Sequence, residues 1–200
     1  RKTFIYNTFE KLMKAISKSL KKNDPNHLNL GIRYGYIEQL DDELLRISKE
    51  SFDALSFNCY ALSPDHEKMN HALEISGLPM IIGEYHFGTV DRGLAQSLWQ
   101  VNSQKERGDA FQYYTENAFA HRGLIGTGWF RWIDQNINGR TDGENYNCGF
   151  IDVTDRPYPY MVDAAIEAAK SLYEIHSGTK TPFHQAPNAV GHSPIPDLWE

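Results

Sequence analysis

Residues 78–88 read Leu-Pro-Met-Ile-Ile-Gly-Glu-Tyr-His-Phe-Gly, an apolar run that contains one carboxylate, Glu84. Short apolar runs bounded by Pro and Gly are typical of buried strands, so we predict a strand over residues 78–87. A carboxylate in such a strand loses its hydration unless it is hydrogen-bonded, paired or functional. Glu84 is therefore either the partner of a buried arginine, such as Arg33 or Arg131, or part of a site.

Strand-like and helix-like segments alternate on both sides of this stretch. Helical periodicity predicts an opening helix that stops at Asn23-Asp24-Pro25, and an Ala-rich helix over residues 160–176. The remaining predicted strands span residues 27–34, 52–60 and 124–133, and the remaining predicted helices span residues 37–49, 67–75 and 94–120. This alternation indicates an α/β fold with a parallel sheet.

Two architectures fit four strand–helix units: an open doubly wound sheet, or half of an eight-stranded (β/α)8 barrel. The chain begins with a helix that has no strand before it, which suits half of a barrel better. The pattern therefore favours half of a TIM (β/α)8 barrel over residues 1–178. Residues 179–200 are predicted to form an extended tail.

The composition excludes several functional classes. Lys and Arg total 20 against 26 Asp and Glu, a net charge of −6 that disfavours nucleic acid as a partner. No apolar run is long enough to span a membrane. Cys59 and Cys148 have no metal-type spacing, and phosphate-binding glycine loops and the Gly-x-Ser-x-Gly elbow are absent. We expect neither a metal nor an organic cofactor.

Polar and aromatic side chains occur near the C-terminal ends of three predicted strands, where (β/α)8 barrels carry their chemistry. Alternation places Asn58 and Tyr60 on one face of their strand, away from apolar neighbours. The other residues of this kind are Glu84 and His86 in the next strand, and Trp132, Asp134 and Gln135 in and after the last. Three strands therefore direct such side chains toward one mouth.

Each of these side chains also has a purely structural interpretation. A lone histidine such as His86 is more often a hydrogen-bonded core or rim residue than a functional one. Tyr60 and Trp132 are core aromatics by default, and only their position at strand ends favours function. A tryptophan there offers a flat apolar face to the C–H side of a sugar ring.

Several motifs resemble the C-terminal half of the catalytic barrel of exo-acting β-agarases, glycoside hydrolase family 50. They are Asp24-Pro25-Asn26-His27-Leu28, Phe57-Asn58-Cys59-Tyr60, residues 83–88, and residues 142–147 continuing through 149–155. Residues 132–135, Trp-Ile-Asp-Gln, also resemble the eighth strand of family 2 β-galactosidases from the same clan. The resemblance implies that residues 1–178 are the C-terminal half of a TIM (β/α)8 barrel, strands 5 to 8 with their helices. It also implies that Glu84 is the nucleophile, that Tyr60 hydrogen-bonds it, and that Trp132 forms the floor of the cleavage subsite.

The same resemblance implies that the acid/base glutamate lies at the end of barrel strand four, upstream of this chain. The chain then represents part of a retaining β-glycosidase that cleaves a galactose-containing, agarose-type polysaccharide and needs the N-terminal half of the barrel as its partner. Secretion is expected, because polymeric substrates lie outside the cell. The candidate contacts to sugar hydroxyls are Asn58, Arg33, His86, Asp134 and Gln135.

Two other hypotheses remain open at this point. The chain is alternatively a non-catalytic, carbohydrate-binding half-barrel that keeps the sugar platform without acid catalysis. A third possibility is an open-sheet domain with an unknown small ligand. If the chain is instead part of a retaining β-glycosidase, the 200 residues alone are expected to hydrolyse little or nothing, because the acid/base glutamate is missing from them.

Overall fold

The computed structural model describes residues 1–191, so residues 192–200 of the predicted tail lie outside the described residues. An opening helix is followed by alternating strands and helices. The helices are α1 (Lys2–Asn23), α2 (Asp42–Ser51), α3 (His66–Ser76), α4 (Gln104–Phe119) and α5 (Pro159–His176). The strands are β1 (Arg33–Tyr34), β2 (Leu55–Asn58), β3 (Met80–Tyr85), β4 (Trp99–Gln100), β5 (Leu124–Trp129) and β6 (Val190–Gly191).

Four strands form one sheet in the order β1-β2-β3-β5, and β1 pairs in parallel with β2. The predicted α/β class with a parallel sheet is confirmed. Within residues 1–191 the sheet is open, because β1 and β5 are its edges. Over the same residues, no helix is long and apolar enough to cross a membrane.

Two predicted strands are longer than the observed ones. The strand predicted from residue 27 is reduced to β1, since Gly31 adopts a left-handed φ of 71° that interrupts an extended chain. The strand predicted to residue 133 stops at Trp129. Beyond it the backbone N–H of Arg131 donates to the carbonyl of Cys148, so the chain there bonds to a later segment.

Two predicted helices begin later than expected, each at a capping side chain. Residues 37–49 contain a short 3-10 helix (Ile37–Gln39) and then α2, whose N-cap Asp41 accepts the backbone N–H of Leu44. The helix predicted from residue 94 begins at α4, where Ser103 accepts the N–H of Glu106. The predicted helix 67–75 and strand 78–87 match α3 and β3 closely.

The described residues form two compact units. The first comprises residues 1–59, 65–83 and 123–127, and α2 contacts both α1 and α3. Its core is apolar; the largest side chains with 2% exposure or less are Leu45, Leu55, Phe57, Met69, Met80, Ile82 and Leu124. As predicted, Leu55 and Phe57 of β2 are buried while Ser56 and Asn58, on the opposite face, are partly exposed.

The second unit comprises residues 60–64, 84–122 and 128–191 of the described chain, including α4 and α5, which pack together. Its core is aromatic: the rings of Tyr85 and Tyr114 stack with centroids 4.0 Å apart. Residues 179–191 run along this unit, where the N–H of Phe183 donates to Glu116 at 2.7 Å and β6 pairs antiparallel with β4. The described part of the predicted tail is therefore attached to α4 and β4.

Candidate active site

Tyr60 and Glu84 meet at the ends of β2 and β3. Tyr60 lies two residues after β2, and Glu84 is the penultimate residue of β3. The Tyr60 hydroxyl donates a hydrogen bond to Glu84 Oε2 at 2.7 Å. The carboxylate is thus held in one orientation by a phenol from the preceding strand–helix connection.

Burial raises the pKa of the Tyr60 phenol, and its hydrogen bond to the Glu84 carboxylate raises it further. Both effects disfavour the phenolate, which would lie beside a negative charge. Tyr60 therefore stays protonated across the ordinary pH range and remains a donor to Glu84.

His86 is a buried neutral histidine that supports Tyr60. It is 1% exposed, and its ring meets the ring of Tyr60 edge-on at 4.8 Å. Nδ1 is 3.0 Å from the carbonyl of Phe130, while Nε2 accepts the backbone N–H of Leu98, so the proton is on Nδ1. Burial lowers the pKa of His86 to about 3. Both ring nitrogens are engaged inside the protein, which does not fit the predicted contact between His86 and sugar hydroxyls.

Trp132 is the exposed aromatic platform of this region, with 68% of its surface accessible. Its ring stacks on that of Phe150, with centroids 6.0 Å apart and an angle of 23° between the planes. A large apolar side chain with one face packed and the other in water is suited to binding a ligand with its own apolar face.

Asp134 and Gln135 follow Trp132 but face inward. Asp134 is 4% exposed and accepts hydrogen bonds from the side chains of Asn147 and Tyr158 and from the N–H of Gly149. Gln135 is 1% exposed; it donates to Glu144 at 2.7 Å and accepts the N–H of Tyr146 at 2.7 Å. Their polar atoms hold the loop after β5, so the structure does not favour the predicted sugar contacts for this pair.

Arg33 and Asn58 belong to the first unit. Arg33 is exposed, and its side chain passes so close to Gly83 that a Cβ there would lie 2.6 Å from Arg33 Cδ. Asn58 is the last residue of β2 and is partly exposed. The Tyr60 hydroxyl is one hydrogen-bonding partner of Glu84.

A buried polar network behind Trp132 was not predicted from the sequence. Its centre is Arg107 of α4, which is fully buried. Arg107 lies four and seven residues before Phe111 and Tyr114, on the face of α4 that carries the buried aromatics, and this spacing is the signal that predicts its burial. The other members of the network are Thr89, Asp91, Gln104, Asp134, Asn147 and Tyr158.

The loop after β5 also brings a cation toward Glu84. Arg140 forms an ion pair with Glu144 at 3.1 Å and lies over the ring of Phe130 at 5.7 Å. Its pKa is raised mainly by a hydrogen bond to Asp142, and the charges of Glu144 and Glu84 add to this. Over residues 1–191, no cluster of His, Cys, Asp or Glu is arranged to hold a metal ion.

The second unit thus contains an oriented carboxylate, a protonated phenol and an exposed indole, at Glu84, Tyr60 and Trp132. An oriented carboxylate can act as a nucleophile or a base, and an exposed indole can bind a ligand that has an apolar face. The region is built from the second unit alone: Tyr60, Glu84, His86 and Trp132 all belong to it.

Comparison with known proteins identifies the relatives of this chain. Over 166 residues it is 36% identical to β-agarase A of Vibrio sp. (strain JT0107). The alignment covers 80% of this chain and 16% of that protein. Among solved structures, an exo-β-agarase superposes with a TM-score of 0.81 at 32% identity, covering 87% of this chain and 23% of that one. A second agarase gives a TM-score of 0.78 at 36% identity, covering 84% and 26% of the two chains.

These relatives place the chain among the glycoside hydrolases. Within that class it is a β-agarase-like chain of the family 50 type, and the predicted resemblance is confirmed. No family model matches the chain. The chain spans about a sixth of the length of the curated relatives that it matches.

Proposed function

We propose that this chain is the part of a retaining β-glycosidase that carries the nucleophile, Glu84, and that its substrate is an agarose-type galactan. The observation that carries the proposal is the 2.7 Å hydrogen bond from Tyr60 to Glu84 at the ends of two successive strands. A tyrosine that hydrogen-bonds a carboxylate holds it in a fixed orientation, which nucleophilic attack at one carbon requires.

In the proposed reaction, an oxygen of Glu84 attacks the anomeric carbon and forms a glycosyl ester as the glycosidic C–O bond breaks. The departing oxygen takes a proton from a second carboxylic acid, which the family resemblance assigns to a glutamate upstream of this chain. Water then attacks the same carbon, gives its proton to that second group, and releases Glu84. Retention requires the two carboxyl groups to lie roughly 5 to 5.5 Å apart.

The other site residues divide into contacts and supports. Trp132 stacks on the sugar ring, and Asn58 and Arg33 remain candidates for hydroxyl contacts. His86, Asp134 and Gln135 act instead as supports, because their polar atoms bond inside the protein. This assignment revises the direct contacts predicted from sequence.

The proposal includes a barrel partner. The open edges at β1 and β5, and the exposed apolar residues Leu12, Ile16 and Leu20 of α1, fit the C-terminal half of a (β/α)8 barrel covered by an N-terminal half. On its own the chain is expected to hydrolyse little substrate, since the acid is supplied from elsewhere. Secretion follows if the substrate is a polymer outside the cell.

Covalent trapping tests the proposal directly. A 2-deoxy-2-fluoro-β-galactosyl fluoride needs no general acid, because fluoride leaves unaided while the ring fluorine slows hydrolysis of the ester. We expect the natural protein that carries this sequence to gain one fluorogalactosyl group, which peptide mass spectrometry locates on Glu84. Glu84→Gln removes the nucleophile and prevents labelling, whereas Glu174→Gln on α5 is the matched control.

Labelling of another carboxylate, or of the Glu84→Gln variant, overturns the assignment. The alternative function is a carbohydrate-binding half-barrel, which the exposure of Trp132 favours. It predicts calorimetric binding of agaro-oligosaccharides that Trp132→Ala abolishes, with no labelling of Glu84 and no hydrolysis.

A further inference from the structure

Arg107 of helix α4 is connected through hydrogen bonds to the loop that carries Trp132. We propose that Arg107 is a positioning residue that fixes Trp132 for substrate through the segment Asn147–Gly149, an inference that rests on the proposed function. Arg107 is far from solvent and touches no substrate. Its effect is exerted through two backbone segments that it holds together.

In the first step, Arg107 donates hydrogen bonds to Asn147 and Gly149. Arg107 Nη1 donates to Asn147 Oδ1 at 2.7 Å, and Nη2 donates to the carbonyl of Gly149. The guanidinium lies 4.5 Å from the centre of the Tyr158 ring, a cation–π contact. One rigid side chain on a helix therefore fixes a side chain and a main-chain carbonyl of the same loop.

The second step joins that segment to the residues after β5. Asn147 Nδ2 donates to both oxygens of Asp134, at 3.0 and 2.9 Å, and the N–H of Gly149 donates to Asp134 at 2.7 Å. The backbones approach so closely that a Cβ on Gly149 would lie 2.3 Å from the nitrogen of Asp134. The lack of a side chain at Gly149 allows the segment to lie directly against the backbone of Asp134.

The third step reaches the indole. The carbonyl of Trp132 accepts the N–H of Phe150 at 2.8 Å and the N–H of Ile151 at 3.1 Å. The Trp132 ring lies on the ring of Phe150. Since Phe150 follows Gly149 directly, the segment held by Arg107 provides both the backbone anchor and the packing surface of the exposed indole.

The cost of burying Arg107 argues for a positioning role over simple stabilisation. Burial lowers the pKa of Arg107, and among the described residues its Nε has no hydrogen-bond partner. Replacing buried charged groups with apolar side chains of similar volume often leaves the stability of a protein unchanged or increases it. What an apolar side chain does not supply is a directional hold on the Asn147 amide and the Gly149 carbonyl.

The experiment uses Arg107→Lys, which keeps the charge but not the planar fork, in the natural protein that carries this sequence, labelled with 5-fluorotryptophan. Trp132→Phe assigns the Trp132 signal in the ¹⁹F NMR spectrum. We expect Arg107→Lys to shift or broaden the Trp132 signal and leave that of Trp99 in place. Met69→Ala, in the first unit, is the control that loses stability without moving Trp132.

Kinetics on agaro-oligosaccharides supply the second readout. Arg107→Lys should raise KM about tenfold and change kcat less than about twofold, because binding and not bond cleavage depends on the platform. In a Trp132→Ala background the same change should alter KM by less than about twofold, since the residue through which Arg107 acts is already gone.

The outcomes separate this inference from the proposed function. An unmoved Trp132 signal in Arg107→Lys, or an equal effect on KM in both backgrounds, overturns the positioning role. If Arg107→Lys displaces the Trp132 signal but the wild-type protein neither binds nor cleaves agaro-oligosaccharides, the coupling stands and the proposed substrate fails.

Discussion

The hydroxyl of Tyr60 lies 2.7 Å from Oε2 of Glu84, although the two residues are 24 positions apart in the chain and the whole of α3 lies between them. The bond forms because consecutive parallel strands end at the same edge of a sheet. Burial and the adjacent carboxylate both raise the pKa of the phenol, so Tyr60 remains a hydrogen-bond donor to Glu84 across the ordinary pH range. The pair therefore keeps one geometry throughout the working range of the proposed enzyme.

Replacing Tyr60 with Phe removes this hydrogen bond and keeps the ring. A hydrogen bond to a charged group contributes about 1.5 to 3 kcal/mol, so we expect Tyr60→Phe to lower kcat by about 10- to 100-fold. KM should change little, because the substitution leaves Trp132, the proposed stacking surface for the sugar, in place. Tyr34→Phe is the matched control: its hydroxyl bonds Ser48 in the first unit, and its loss should leave kcat unchanged. Equal kcat values for the two variants would remove Tyr60 from the mechanism.

The buried His86 predicts how stability depends on pH. Its pKa of about 3 in the folded protein lies below the ordinary value of 6.5, so between these values the unfolded chain binds a proton that the folded protein does not. Stability therefore rises with pH across this window and is lost as the pH falls from 6.5 toward 3. The contribution is on the order of 1 kcal/mol per pH unit.

Urea denaturation at a series of pH values between 4 and 6.5 measures this slope. We expect His86→Gln to be less stable at neutral pH but to show a shallower dependence of the unfolding free energy on pH. His184 is exposed, and His184→Gln should keep the wild-type slope. A wild-type slope in the His86 variant would show that other groups cause the acid sensitivity.

Sequence reasoning located strands and helices better than it located their ends. The apolar run of β3 predicts its own strand, because a short apolar run bounded by Pro and Gly is a local property of the sequence. The end of β5 is different: the backbone N–H of Arg131, two residues beyond Trp129, donates to the carbonyl of Cys148, a partner that only the folded chain brings near.

The candidate site shows the same division. Glu84 and Tyr60 were predicted because a polar group at a strand end is unusual in itself, and the family resemblance reinforced them. Arg107 was missed because an arginine in a helix ordinarily faces solvent. Its acceptor Asn147 lies 40 residues later in the chain, in a loop whose position no local pattern predicts.

Glu116 predicts how firmly the segment after α5 is attached. It is 2% exposed, and its two oxygens accept the backbone N–H of Phe183 at 2.7 Å and the side chain of Gln112 at 2.8 Å. Glu116→Gln turns one acceptor into a donor and loses about 1 to 3 kcal/mol of local stability. We therefore expect trypsin to cleave after Lys180 faster than in the wild-type protein. Gel electrophoresis and mass spectrometry of timed digests measure this rate.

The control for this experiment is Glu167→Gln, which changes an exposed carboxylate paired with Lys170 on α5. Its cleavage rate after Lys180 should equal that of the wild-type protein. If Glu116→Gln is also cleaved at the wild-type rate, the hydrogen bond to Phe183 does not secure the segment.

The close approach of two backbones at Gly149 predicts an unusually sensitive glycine. A Cβ there would lie 2.3 Å from both the nitrogen of Asp134 and the carbonyl oxygen of Ile151, and backbone atoms cannot rotate away as a side chain can. Gly149→Ala should therefore destabilise the protein by about 3 kcal/mol, measured by urea denaturation. A Cβ at Gly126 meets only side-chain atoms of Ile81, 3.7 Å away, so Gly126→Ala should change stability by less than about 1 kcal/mol. Equal losses at the two glycines would contradict the close approach, and with it the means by which Arg107 is proposed to hold Trp132.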